Sequence, residues 1–175
     1  MKAKFLALVL VVTLSPFSNA TEWLVTSVSS WKEGSVVVAA IDKEVEDFSV
    51  GVVEASRNRN GKLSMFFTYV GGKKDLCSFK SHILATDNEQ VMDSVIVHYF
   101  NNQPIRMVGF CRKDGEKFFP YYVPETEQGL SYIVNEFKKS KEVIVETNLE
   151  GEFHSVRFPA EGFSQYWNSK DIKAL

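Results

Sequence analysis

CSFKSHILATDNEQVMDSVIVHYFNNQPIRMVGFC, residues Cys77 to Cys111, holds both cysteines of the chain and reads as strand, turn, strand. Val91 to Phe100 is rich in β-branched and aromatic residues, and Asn101-Asn102-Gln103-Pro104 carries turn chemistry. Ile105 to Cys111 then returns as a partner strand. An even pair of cysteines in an exported chain reads as one disulfide, so Cys77 and Cys111 are expected to be bonded, with a sheet built out on either side.

Export is read from the first twenty residues. Lys2 and Lys4 give a positive start, Phe5 to Thr13 is a short apolar run, and Pro16 interrupts it. Ser18-Asn19-Ala20 supplies the small residues a signal peptidase needs, so residues 1–20 are expected to be a signal peptide cleaved before Thr21. Residues 21–175 then form a single β-rich domain, placed in the periplasm or secreted. Nothing after residue 20 is apolar for long enough to cross a membrane as a helix. The formal net charge of the whole chain is −2, and losing the two leader lysines takes it to −4. A weakly acidic domain gives no support for nucleic acid as a partner.

Working toward the N-terminus, Lys62 to Val70 and Phe48 to Ala55 read as two strands. Arg57-Asn58-Arg59-Asn60-Gly61 between them is strong hairpin chemistry. Ser35 to Ile41 reads as a further strand, and Trp23 to Val28 as the first. Ser29 to Gly34 is a polar break containing Trp31. Asp42, Glu44, Glu46 and Asp47 alternate acidic residues, but their spacing departs from a calcium loop and no glycine provides its turn. They read as a solvated connector.

Toward the C-terminus, Leu76 to Leu84 alternates as a strand, and Asp114-Gly115 marks a turn. Phe118-Phe119-Pro120-Tyr121-Tyr122-Val123-Pro124 is the densest aromatic stretch. Phe118 to Tyr122 reads as a short strand or an ordered loop, and the two prolines argue against a central strand. It reads either as packing beneath the next helix or as a loop whose Phe118 and Phe119 anchor inward while Tyr121 and Tyr122 face a partner.

The period then changes. Leu130, Ile133, Val134 and Phe137 form the stripe of an amphipathic helix, with Thr126 as N-cap and Lys138, Lys139 and Lys141 at its C-terminal end. Glu142 to Thr147 and Glu152 to Phe158 form a hairpin around Glu150-Gly151. A short helix follows Pro159, with Phe163, Tyr166 and Trp167 on one side. The expected fold is mainly β: a β-sandwich or flattened barrel of about nine short strands, with one amphipathic helix and a short C-terminal helix.

No catalytic motif stands out. His82, His98 and His154 are the three histidines, and no two have a zinc-ligand spacing. Ser81 and His82 are neighbours on a strand and point to opposite faces. There is no Gly-x-Ser-x-Gly elbow and no phosphate-binding glycine loop. No catalytic, cofactor-binding or metal residue is assigned. Arg57 and Arg59, with Lys62, make a basic hairpin tip that reads either as edge protection or as an electrostatic handle for an acidic partner.

The closing pattern is a helix, a β-hairpin, and then FPAEGFSQYWN, in which Gly162-Phe163 opens a short helix. It resembles that of small exported bacterial proteins of the invasion-associated-locus-B type, which also begin the mature chain with a tryptophan-bearing strand, as Trp23 does here. The resemblance covers about the last fifty residues and implies a β-sandwich in the envelope, with no catalytic residues to carry over. The expected function is a non-enzymatic exported binding or accessory protein with a protein partner in the envelope: an inhibitor or immunity-type protein, or an envelope or host-interaction factor. Tyr121, Tyr122, Arg57 and Arg59 are the candidate partner-binding residues. The alternatives are a periplasmic hydrolase with a noncontiguous site and a small-ligand-binding β-barrel.

Overall fold

The structure, a computed structural model, describes residues 30–32, 34–40, 50–70, 77, 82–86, 89–92, 96–114, 117–149 and 152–170. The leader at 1–20, the Trp23–Val28 strand, the acidic connector and the Glu150-Gly151 turn lie outside these residues. So do most of the residues expected to form the Leu76–Leu84 strand.

Among the described residues, ten antiparallel strands and two helices follow one another. The strands are β1 Val36–Ala40, β2 Val50–Arg57, β3 Leu63–Val70, β4 His82–Thr86, β5 Glu89–Met92, β6 Ile96–Phe100, β7 Gln103–Asp114 and β8 Lys117–Pro124. Helix α1, Glu127–Lys139, precedes β9 Glu142–Leu149 and β10 Glu152–Pro159, and α2, Phe163–Lys170, comes last. The fold is mainly β, as expected, and takes the form of a nearly closed, barrel-like sheet. Its order is β1-β2-β3-β8-β7-β6-β9-β10, with β5 added to β7 and β4 to β5.

The period-2 pattern of the strands decides which side chains go in. On β2, Val53 and Ala55 are fully buried while Val52 and Glu54 are only partly so; on β3, Met65 and Phe67 are fully buried and Phe66 is not. Gly51 sits on the same inner face. A Cβ there would lie 2.7 Å from Val156 Cγ1 and 2.9 Å from Phe158 Cζ, so the missing side chain is what lets β10 lie against β2 near the closure.

Val91–Phe100, read as one strand, is divided. Ile96–Phe100 pairs with the first half of β7, and β5 pairs with Phe110, Cys111 and Arg112 farther along the same strand. Twelve residues make β7 long enough to serve both. The turn between β6 and β7 places Asn101 (φ 47°) and Asn102 (φ 69°) in the left-handed region, the two-residue geometry that asparagine tolerates. Asn101 also ties three elements together. Its Oδ1 accepts from the Ile144 amide at 3.0 Å and its Nδ2 donates to Glu136 Oε2 on α1 at 2.9 Å.

The aromatic stretch corrects the sequence reading. Residues 117–124 form an internal strand, β8, lying between β3 and β7. Prolines at 120 and 124 are tolerated because β8 pairs along its whole length with β7 but meets β3 at one position, Phe67 opposite Tyr122.

One end of the barrel is plugged by the helices and Trp31. Thr126 caps α1 by accepting from the Gly129 amide at 3.0 Å. A Cβ at Gly129 would come within 3.0 Å of Ile105 Cγ2, so glycine brings the helix start close to β7. Ile133, Val134 and Phe137 are buried as the stripe predicts, and Leu130 packs at its edge. Trp31, read as part of a polar break, is 1% exposed. Its ring stands edge-on to Phe137 and Phe163, and its Nε1 donates to the Pro159 carbonyl at 3.0 Å.

Cys77 and Cys111 are joined as a disulfide with Cα atoms 5.6 Å apart, both buried. Among the described residues no helix is long and apolar enough to cross a membrane.

Candidate functional site

Strand alternation has an outer consequence on β8. With Tyr122 inward, Phe119, Tyr121 and Val123 must point out. The register then fixes their neighbours. Phe110 stands opposite Tyr121, and Arg112 opposite Phe119, across the β7–β8 ladder. Phe110 and Tyr121 stack, with ring centroids 5.1 Å apart and planes 12° from parallel. Phe66 of β3 closes on Tyr121 from the other side at 6.0 Å. Phe119, 39% exposed, is one of the two large hydrophobic residues most open to solvent among those described.

These rings floor a groove of about 1280 Å³ on the outer face of β2, β3, β8 and β7. Ser56, Ser64 and Thr68 add hydroxyls along one side. The β2–β3 hairpin tip, with Arg57, Arg59 and Lys62, stands over one end, and Arg112 and Lys113 line the groove as well. Lys62 pairs with Glu127 at the start of α1. Arg57 spends its donors on backbone carbonyls, Nη1 to Gly61 at 2.6 Å and Nη2 to Lys170 at 2.7 Å. It therefore pins the hairpin to α2 while its charge stays at the groove. Arg112 and Lys113 are exposed, and neither forms an ion pair among the described residues.

Of the four residues proposed from sequence, Arg57, Arg59 and Tyr121 therefore line one groove. Tyr122 does not: it is 1% exposed and belongs to the core. Phe119 likewise faces out rather than in. The physical reason for both is the same. The segment is a strand, and a strand sends neighbouring residues to opposite faces, whereas a loop anchored by two adjacent phenylalanines would have turned both tyrosines outward.

Sequence reading missed Phe66, Phe110 and Arg112. A signal for two of them existed. The Asp114-Gly115 turn implies a hairpin, and pairing Asp114 with Lys117 places Phe110 against Tyr121 and Arg112 against Phe119.

The interior holds a second feature. Tyr69, His98, Tyr122 and Thr147 come together on inward faces. His98 and Thr147 are directly opposed on β6 and β9, and both are fully buried. Tyr69 Oη and His98 Nδ1 are 3.3 Å apart, and the Tyr122 ring stands edge-on to His98 with centroids 5.0 Å apart. Among the described residues, His98 Nε2 and Thr147 Oγ1 have no hydrogen-bond partner. Desolvation disfavours the imidazolium and lowers the His98 pKa to about 3, while burial, and then Tyr122, push the Tyr69 phenol up. The cluster is therefore neutral at physiological pH.

Glu136 is the one buried carboxylate among the described residues. Burial by itself would raise its pKa, but hydrogen bonds from Lys139, Asn101 and Tyr132 outweigh that and hold it below the ordinary value. Its partners are structural, fixing α1 to the β6–β7 turn. Among the described residues no three His, Cys, Asp or Glu side chains gather as a metal site.

No protein-family model matches the chain, and neither a curated protein nor a solved structure matches it.

Proposed function

We propose that this chain is a non-enzymatic binding protein that is exported, loses residues 1–20, and works in the bacterial envelope through the outer groove. The observation that carries the reading is the stacked Phe110–Tyr121 pair, flanked by Phe66 and Phe119, on a solvent-facing strand face beside arginines. Aromatic and arginine side chains are the types that dominate binding energy at protein interfaces. A strand face that served solubility alone would carry small polar or charged residues instead. The leader and the similarity to invasion-associated-locus-B-type proteins support the envelope as the place of action.

The test has two arms. N-terminal sequencing of the protein from a periplasmic fraction is expected to begin at Thr21, and recovery of Met1 on cytoplasmic protein would refute export. Mature wild type and a Tyr121→Ala variant are then used as baits in envelope extract. A partner captured by the wild type and lost with the variant supports the groove, while equal capture places the interface elsewhere.

A second reading, a barrel that encloses a small polar ligand, has one observation in its favour: among the described residues, His98 Nε2 and Thr147 Oγ1 have no hydrogen-bond partner. Soaking crystals with candidate polar ligands separates it from the first reading by whether ligand density appears beside those two atoms.

A further inference from the structure

We propose that the groove takes an extended acidic segment of a partner protein, seating an apolar side chain on the Phe66–Tyr121–Phe110 floor and a carboxylate at Arg112 and Lys113. This rests on the reading of the groove as a protein-binding surface. Size is the first argument. At about 1280 Å³ the groove exceeds the roughly 300–1,000 Å³ of small-molecule pockets and is open along the sheet face, which suits a length of chain.

Charge is the second. The chain as a whole is net negative, yet Arg57, Arg59, Lys62, Arg112 and Lys113 converge on this groove against three carboxylates, Glu54, Glu125 and Glu127. Glu127 is already paired with Lys62, and Glu125 with Arg106. Among the described residues Arg112 and Lys113 form no ion pair, and Arg112 stands opposite the exposed Phe119. Complementary charge of this kind steers and orients a partner.

The position of Glu54 decides among anionic partners. It lies opposite Phe66 across the β2–β3 ladder, in the groove lining. A polyanion with evenly spaced charges, such as nucleic acid or an anionic polysaccharide, would run its charges over that carboxylate. A peptide carries acidic residues at chosen positions and avoids it. β3 and β8, the two strands at the middle of the floor, meet at a single position, Phe67 opposite Tyr122. Ser56 and Thr68 line the groove beside them and offer hydroxyls to the segment.

Random peptides displayed on phage are selected on the purified exported protein and sequenced. The expected consensus joins an aromatic or aliphatic residue to neighbouring Asp or Glu. The best synthetic peptide, followed by fluorescence anisotropy, is expected to weaken at least about tenfold in an Arg112→Glu, Lys113→Glu variant and to weaken as salt is raised. Circular dichroism confirms that the variant folds. Enriched peptides without acidic bias, unchanged affinity after charge reversal, or no enrichment together with binding of heparin would each overturn the proposal. Envelope capture that is lost in Tyr121→Ala but indifferent to charge reversal overturns this inference and leaves the groove reading standing. Capture indifferent to both variants overturns the two together.

Discussion

Phe110 and Tyr121 lie stacked 5.1 Å apart across the β7–β8 ladder, on the face of the sheet that looks away from the core. An offset aromatic pair contributes about 0.5–1.5 kcal/mol beyond its buried area, so part of Tyr121's effect is local stability. Its greater effect is expected in binding. Tyr121→Ala should cost at least about 2 kcal/mol of partner affinity, roughly 30-fold, while the folded state persists. Calorimetric titration of a captured partner against wild type and variant checks both the size and the sign.

Phe137→Ala should be among the most damaging single changes. The ring is 1% exposed and meets Trp31 and Phe163 where the helices plug the barrel. Truncation is expected to cost about 3–5 kcal/mol in urea unfolding, at an unchanged m-value.

Those two residues also mark what sequence could and could not reveal. The α1 stripe was legible because a 3.6-residue period with a Thr126 cap has few other readings. The Arg57–Gly61 hairpin was legible because turn chemistry fixes register between two β-rich runs. In Phe118–Pro124 two prolines mask the alternation. The burial of Tyr122 and the outward turn of Tyr121 depend on β7 serving as the partner that tolerates those prolines, a long-range fact. Trp31 carries no core signal in sequence because its neighbours are polar, and its core position comes from Phe137 and Phe163, more than a hundred residues away. His98 looked like a lone histidine; only the β6–β9 register sets it against Thr147.

Acid should destabilise the protein through His98. Its folded pKa is about 3, against 6.5 for the free side chain. Below pH 6.5 the unfolded chain binds a proton that the folded chain refuses, so stability falls as pH drops from about 6.5 toward 3. The slope reaches at most about 1.4 kcal/mol per pH unit. The side chains described around the ring, Tyr69, Tyr122 and Thr147, bring no charge to offset this. Glu136 adds its own loss only at and below the carboxylate range, because its pKa is depressed. Urea unfolding between pH 7 and pH 5 should therefore show a slope in wild type that His98→Gln removes.

Reduction of the Cys77–Cys111 bond opens a loop spanning 34 residues of sequence. The chain-entropy relation gives a loss of about 4 kcal/mol for a loop of that length. A Cys77→Ser, Cys111→Ser variant should melt well below the oxidised wild type, and dithiothreitol should lower the wild type toward the variant. An unchanged melting temperature after complete reduction would show that the β5–β7 pairing holds this part of the sheet without the bond.

The central claim is that the groove, and not some other part of the sheet, is the working surface. Phe119 and Tyr99 are comparably exposed, at 39% and 40%, on β8 and β6, but only Phe119 lines the groove. A photo-crosslinking amino acid placed at either position in the exported protein, followed by illumination of living cells, compares the two surfaces directly. A discrete adduct formed from position 119 and absent from position 99 is the predicted result; adducts of equal yield from both, or an adduct from position 99 alone, would contradict the claim.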